Sequence, residues 1–156
     1  LYLHREIREK GGAYGGFALY SPEDGLFSFG SYRDPHITRT LDVYAGVADF
    51  ISSGDYTEDD IHEAILQVCS EIDKPDPPGP ASRKAFYRIL VGLDDDRRQA
   101  FKTRLLGLNR EKVRAVAERY LDRLEDRTST AVISSRELLE KANRDLPKGP
   151  LTLHAI

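Results

Sequence analysis

The sequence predicts an α+β fold, a mostly antiparallel sheet with helices packed on one face. Three observations carry that expectation. Two strand-like runs near the start are joined by a short turn. A series of apolar stripes at helical spacing fills the middle of the chain. Two short strand-like runs, separated by a short helix, close it.

The elements follow in order. Leu1 to Glu9 reads as the end of a helix, with Gly11 as its stop signal. Ala13 to Tyr20 reads as a strand, with Phe17 and Leu19 among small residues. Ser21-Pro22-Glu23-Asp24-Gly25 is a turn, because Pro pre-sets one torsion and Gly supplies the permissive end. Leu26 to Ser31 alternates Phe27 and Phe29 with Ser28 and Gly30, the period of a strand, so the pair is an antiparallel hairpin. Asp34-Pro35 starts a helix with a stripe of Ile37, Leu41, Tyr44, Ala48 and Ile51, ended by Gly54. Thr57 and Asp60 form a capping box for the next helix, whose stripe is Ile61, Ile65, Val68 and Ile72. The run 74–80, Lys-Pro-Asp-Pro-Pro-Gly-Pro, reads as a semi-rigid internal loop, excluded from helix by its prolines.

Three helices are expected beyond it. Ala81 to Val91 carries Phe86, Ile89 and Leu90 and stops at Gly92. Asp94 caps the second, with Phe101 and Leu105 inward. Asn109 caps the third, with Val113, Val116, Tyr120 and Leu124 inward. Ala131 to Ile133 is then a short strand, Ser135 to Arg144 a short helix with Leu138 and Leu139, and Leu151 to Ile156 a final strand after the turn at Pro147 and Gly149-Pro150.

Composition sets limits on function. The chain has 156 residues, 40% hydrophobic and 31% charged, enough for one domain with a real core. A net charge of -3 and a pI near 5.8 supply no basic field, so no nucleic-acid partner is expected. No apolar stretch is long enough to span a membrane and no signal-peptide pattern opens the chain. That favours the cytoplasm, although the compartment stays unknown. Cys69 is the only cysteine and falls on an apolar helix side, where a small packed thiol is the ordinary reading. The chain has no methionine and starts inside an apparent helix, so an excised segment, incomplete at its N-terminal side, is expected.

Most candidate chemistry fails on spacing. His62-Glu63 begins an H-E-x-x-H zinc motif, but Leu66 stands where the second histidine must be. No H-x-x-E-H, G-x-S-x-G, P-loop or G-x-G-x-x-G occurs. No metal site is expected in this chain. Asp59-Asp60 and Asp94-Asp95-Asp96 sit at helix starts, where carboxylates meet the positive end of the helix dipole. What remains is the run Arg8-Glu9-Lys10-Gly11-Gly12-Ala13-Tyr14-Gly15-Gly16. Its four glycines leave room around one tyrosine, six residues after an arginine. An Arg and a Tyr aimed at one place donate hydrogen bonds to a carbonyl or a developing oxyanion. On structural grounds alone, Arg8 reads as a surface helix residue and Tyr14 as a strand aromatic.

The Arg8–Gly16 run resembles the C-terminal half of pitrilysin/insulinase zinc peptidases, and specifically the presequence protease and falcilysin branch. The resemblance continues through Phe27-Ser28-Phe29, Ser31-Tyr32-Arg33-Asp34-Pro35, Thr40-Leu41, Asp73-Lys74-Pro75, Gly92, Arg97-Arg98-Gln99 and Arg119-Tyr120-Leu121. It implies that residues 1–156 are a partial C-terminal, peptidase-associated α+β domain. It also implies that Arg8 and Tyr14 are catalytic-site residues, contacting the substrate backbone and the oxyanion. Zinc is expected in the N-terminal half of the parent protein, which is the expected partner. The implied substrates are unstructured peptides that fit a closed chamber. Gly12, Gly15 and Gly16 are the candidate substrate-binding positions, where an extended peptide lies against bare backbone.

The chain by itself is expected to be inactive. Two other classes compete with the peptidase segment. One is a non-catalytic binding or assembly module, like the inactive half or subunit of such peptidases. The weaker is a scaffold recognising proline-rich partners through 74–80.

Overall fold

The computed structural model describes residues 1–22, 24–121, 128–146 and 149–155. A π-helix at His4–Glu9 leads into a hairpin of β1 (Gly15–Ser21) and β2 (Leu26–Tyr32). Among the described residues seven α-helices follow: α1 (Thr38–Ala45), α2 (Val47–Ser53), α3 (Glu58–Ile72), α4 (Pro78–Leu90), α5 (Asp95–Leu106), α6 (Arg110–Tyr120) and α7 (Arg136–Asp145). Helices together with an antiparallel sheet make this an α+β chain. The chain divides into two compact units, Leu1–Ser53 with Ala117–Ile156, and Gly54–Val116.

The first unit is built around the hairpin. β1 and β2 pair antiparallel from Gly15 opposite Tyr32 to Ser21 opposite Leu26. One face carries Gly16, Ala18, Phe27, Phe29 and Ser31 by the two-residue alternation of strands. Phe29 stacks on Tyr44 of α1 with ring centres 5.3 Å apart, and meets Phe27 edge to face. Gly16 lies under Ile7 of the π-helix, and Ile7 is only 2% exposed. The expected helix from Asp34 to Ile51 is two helices, broken at Gly46. The missing side chain there admits the Tyr2 hydroxyl, whose ring stacks on Phe50 at 4.6 Å. Asp34 begins no helical turn. Its carboxylate accepts from the His36 N–H at 2.9 Å and the Thr40 hydroxyl at 2.7 Å, tying the strand exit to α1.

The second unit has an aliphatic core. Ile61 and Ile65 of α3 pack with Leu105 of α5, and Tyr56, Cys69, Ile72, Leu108 and Val113 close around them. Each buried Ile or Leu contributes roughly 1.5–3 kcal/mol. The Thr57–Asp60 capping box forms in both directions. Asp94 and Asn109 each accept the backbone N–H three residues on, as their sequence context predicts.

Four expectations are corrected. Pro78, Gly79 and Pro80 are the first turn of α4 rather than loop, because first-turn residues need no intrahelical N–H donor. Phe101, Val116 and Tyr120 are exposed, where their helical spacing placed them inward. Neither Ala131–Ile133 nor residues 151–155 form a strand ladder, since no described strand lies beside them. Val68 and Leu138 are exposed as well, against the apolar stripe that placed Val68 inward. Leu124 and Pro147 lie outside the described residues.

Candidate functional site

The site is assembled where the π-helix turns into β1. A π turn bonds each N–H to the carbonyl five residues back, as Lys10 to Arg5 does at 3.0 Å. The chain then closes tightly: Gly12 N–H donates to Arg8 C=O at 2.9 Å and Ala13 N–H to Ile7 C=O at 3.1 Å. Gly11 is buried, and a Cβ there would strike the Ile7 carbonyl oxygen. Gly12 has φ +75°, which a side chain disfavours. The two glycines thus fold the strand entry back along the helix end. Ile7 points in and Arg8 points out.

That reversal brings Arg8 and Tyr14 together. The guanidinium carbon of Arg8 lies 6.0 Å from the centre of the Tyr14 ring, within cation–π range. Tyr14 is 66% exposed. Its N–H donates to Tyr32 C=O at 3.1 Å, which fixes its backbone one step beyond the ladder. Among the described residues Arg8 forms no ion pair and the Tyr14 hydroxyl no hydrogen bond. The neighbouring charges satisfy one another. Glu6 accepts from Arg5 at 2.9 Å and Lys10 at 2.8 Å, and the Lys10 hydrogen bond holds its carboxyl below the usual range. His4 pairs with Glu9 at 3.2 Å. The donors of Arg8 and Tyr14 stay available to a third party.

The sequence gives two neighbours of this pair no site role, although both fall in the run Ser31–Pro35 that carries the resemblance. Tyr32 meets Tyr14 edge to face, ring centres 6.0 Å apart at 89°. Arg33 lies 5.4 Å from the Tyr32 ring and adopts φ +50°, a strained value for a side chain with a Cβ. Guanidinium, phenol, phenol and guanidinium follow one another as Arg8, Tyr14, Tyr32 and Arg33. The hairpin register supplies the link, because Ser21 opposite Leu26 sets Gly15 opposite Tyr32, one step from the register that a turn over 21–25 implies.

The candidate glycines divide. Gly12 and Gly15 have open space where a side chain would project, whereas a Cβ at Gly16 would come within 2.9 Å of Ile7 Cδ1. Gly16 therefore serves packing against Ile7 in this fold. His62 is exposed on α3 and Cys69 is half-buried against the aliphatic core. Among the described residues no three His, Cys, Asp or Glu side chains gather into a metal-sized group. No described helix is long and apolar enough to cross a membrane.

The family model described as "PreP C-terminal domain" matches residues 1–136. The mitochondrial presequence protease of Mus musculus is 42% identical over 120 residues, covering 77% of this chain and 11% of the relative. That of Danio rerio is 46% identical over 120 residues, again 77% and 11%. That of Xenopus tropicalis is 37% identical over 149 residues, 96% of this chain and 14% of the relative. The chain thus spans 11–14% of the length of these relatives. A family match over residues 1–136, with relatives 37–46% identical over 77–96% of the chain, makes this chain a member of the presequence protease C-terminal domain family.

Proposed function

We propose that this chain is the substrate-clamping, metal-free segment of a zinc metalloendopeptidase that degrades unstructured peptides. The observation that carries the proposal is the convergence of Arg8 and Tyr14, both exposed and 6.0 Å apart guanidinium to ring, with no competing partner among the described residues. In the parent protein the Arg8 guanidinium donates to a substrate backbone carbonyl beside the scissile bond. The Tyr14 O–H donates to the oxygen that gains negative charge as that carbonyl is attacked. Both groups are donors without acceptor duties at that moment, which suits an oxyanion. Tyr32 meets the Tyr14 ring edge to face and holds it beside Arg8. Gly12 and Gly15 leave the backbone open for an extended peptide.

Zinc, which the family resemblance implies, finds no ligand set among the described residues and is assigned to the N-terminal half of the parent protein. That half is the proposed partner. Compartment belongs to the same proposal. The relatives are named as mitochondrial, against the cytoplasmic lean of the sequence, and fractionation of the source cells decides between the two.

The test is Tyr14→Phe in the parent enzyme. Loss of one oxyanion donor lowers kcat about 10²–10³-fold, equivalent to about 2.7–4 kcal/mol of barrier. The circular dichroism spectrum stays unchanged, because Tyr14 is exposed. Near-normal turnover overturns the assignment.

A second reading, a non-catalytic assembly module, is favoured by α4. That helix buries no residue and presents Phe86, Ile89 and Leu90 to solvent. The two readings part on whether H-x-x-E-H precedes this segment on the same polypeptide.

A further inference from the structure

Arg33 is not accounted for by the fold. It follows the last residue of β2 and, among the described residues, is the one residue other than glycine with a positive φ, +50°. Left-handed backbone costs a residue that carries a Cβ, and glycine would make the same turn without that cost. The side chain returns little in exchange. It is exposed, and among the described residues its one polar or ring contact is the Tyr32 ring, 5.4 Å from the guanidinium carbon. A cation over an exposed ring contributes less than left-handed backbone costs. Strain that is not offset locally points to a duty toward something outside the chain.

Position and chemistry say what that something is. Arg33 stands at the far end of the series that begins with Arg8. The Arg8 guanidinium lies 6.0 Å from the Tyr14 ring, the two rings are 6.0 Å apart, and Arg33 lies over the second ring. A peptide held at Arg8 and Tyr14 has its next few residues within reach of a second guanidinium. The charge of that guanidinium is not spent on neighbours. The adjacent Asp34 carboxylate accepts from the His36 N–H at 2.9 Å and the Thr40 hydroxyl at 2.7 Å, and Glu6 accepts from Arg5 and Lys10. A guanidinium resting on a ring keeps its N–H edge free, and that planar fork matches a carboxylate in two parallel, charge-assisted bonds. A backbone carbonyl uses only one of those bonds and none of the charge.

We propose that Arg33 is a specificity-determining residue that binds a carboxylate of the extended peptide, an acidic side chain or the free chain end, beside the carbonyl and oxyanion contacts of Arg8 and Tyr14. This rests on the reading of the chain as the peptide-binding segment of a peptidase.

The test is cleavage of matched unstructured peptides by the parent enzyme. One set carries Glu or Gln at each position within about five residues of the scissile bond, and a second set has a free or an amidated C-terminus. The wild type cleaves one acidic form with kcat/KM at least about 10-fold above its neutral counterpart, the low end for a hydrogen bond to a charged group. A Glu-over-Gln preference identifies an internal side chain, and an acid-over-amide preference identifies the chain end. Arg33→Gln brings the ratio to within about twofold of one, whereas Arg33→Lys, which keeps the charge without the fork, retains part of it. Absence of any preference in the wild type, or a preference that survives Arg33→Gln, overturns the proposal. Arg33→Gly also abolishes the ratio, without lowering the melting temperature, because glycine accepts the left-handed turn. A lower melting temperature would assign the side chain to the fold and overturn the proposal as well. Tyr14→Phe lowers kcat on both members of a pair and leaves their ratio in place, so failure of the oxyanion role and failure of this carboxylate site are separately visible.

Discussion

The stretch from Ile7 to Tyr32 and the stretch from Thr57 to Leu105 keep their shapes by opposite means. The first depends on atoms that are absent. Gly11 lets the chain fold back on the Ile7 carbonyl, and Gly16 lets Ile7 settle on the sheet. The second depends on atoms that are present, the aliphatic side chains of Ile61, Ile65 and Leu105. The difference teaches where chemistry is possible. A backbone-defined turn holds Tyr14 with 66% of its surface still exposed, whereas the aliphatic core holds Ile65 at 6%. The proposed donors, Arg8 and Tyr14, stand on the part of the fold whose shape is set by backbone and glycines rather than by their side chains.

That contrast can be broken by substitution. The largest effect belongs to the core: Ile65→Ala lowers unfolding free energy by about 2–5 kcal/mol, measured by urea denaturation. Gly11→Ala follows at about 1–3 kcal/mol, because an added methyl meets backbone that cannot yield. If Gly11→Ala were neutral, the turn would not be defined by absence. Thr57→Ala, which removes the cap of α3, costs about 0.5–2 kcal/mol.

The same cap predicts a pH dependence. Hydrogen bonds from the Thr57 N–H and hydroxyl hold the Asp60 carboxyl below its ordinary value. A depressed acid stabilises the fold above the unfolded value of about 3.9, and that contribution fades as pH falls through the folded value. Helicity of wild type and Thr57→Ala, compared between pH 7 and pH 2, converges at the acid end. The smallest effect belongs to α4. Ile89 is 78% exposed, so Ile89→Ala changes the stability of this chain by no more than about 0.5 kcal/mol. A loss near that of Ile65→Ala would show that α4 is packed in solution.

The legible parts of the fold were those decided within a few residues. Thr57 with Asp60, Asp94, Asn109 and Ser135 each cap the helix that follows, because a side chain two or three residues away suffices. Gly54 and Gly92 end their segments with positive φ. The hairpin is local for the same reason. Pro78 and Pro80 misled because a proline excluded from a helix interior is accepted in its first turn. The site was partly legible. Arg8 and Tyr14 stand six apart in one run, but their approach depends on a π turn that residue type does not announce. Tyr32 and Arg33 entered only through the register of a strand 18 residues away.

By itself, then, the sequence determined the α+β class, the capped helix starts at Thr57, Asp94, Asn109 and Ser135, and the family, since each rests on short-range torsions, caps and residue identity. Tertiary structure decided which stripes are buried and which edges are paired. Phe101, Val116 and Ile89 have the spacing of buried residues, and Ala131–Ile133 has the composition of a strand. Burial and β-pairing are properties of two surfaces meeting, and a periodic pattern specifies only one of them.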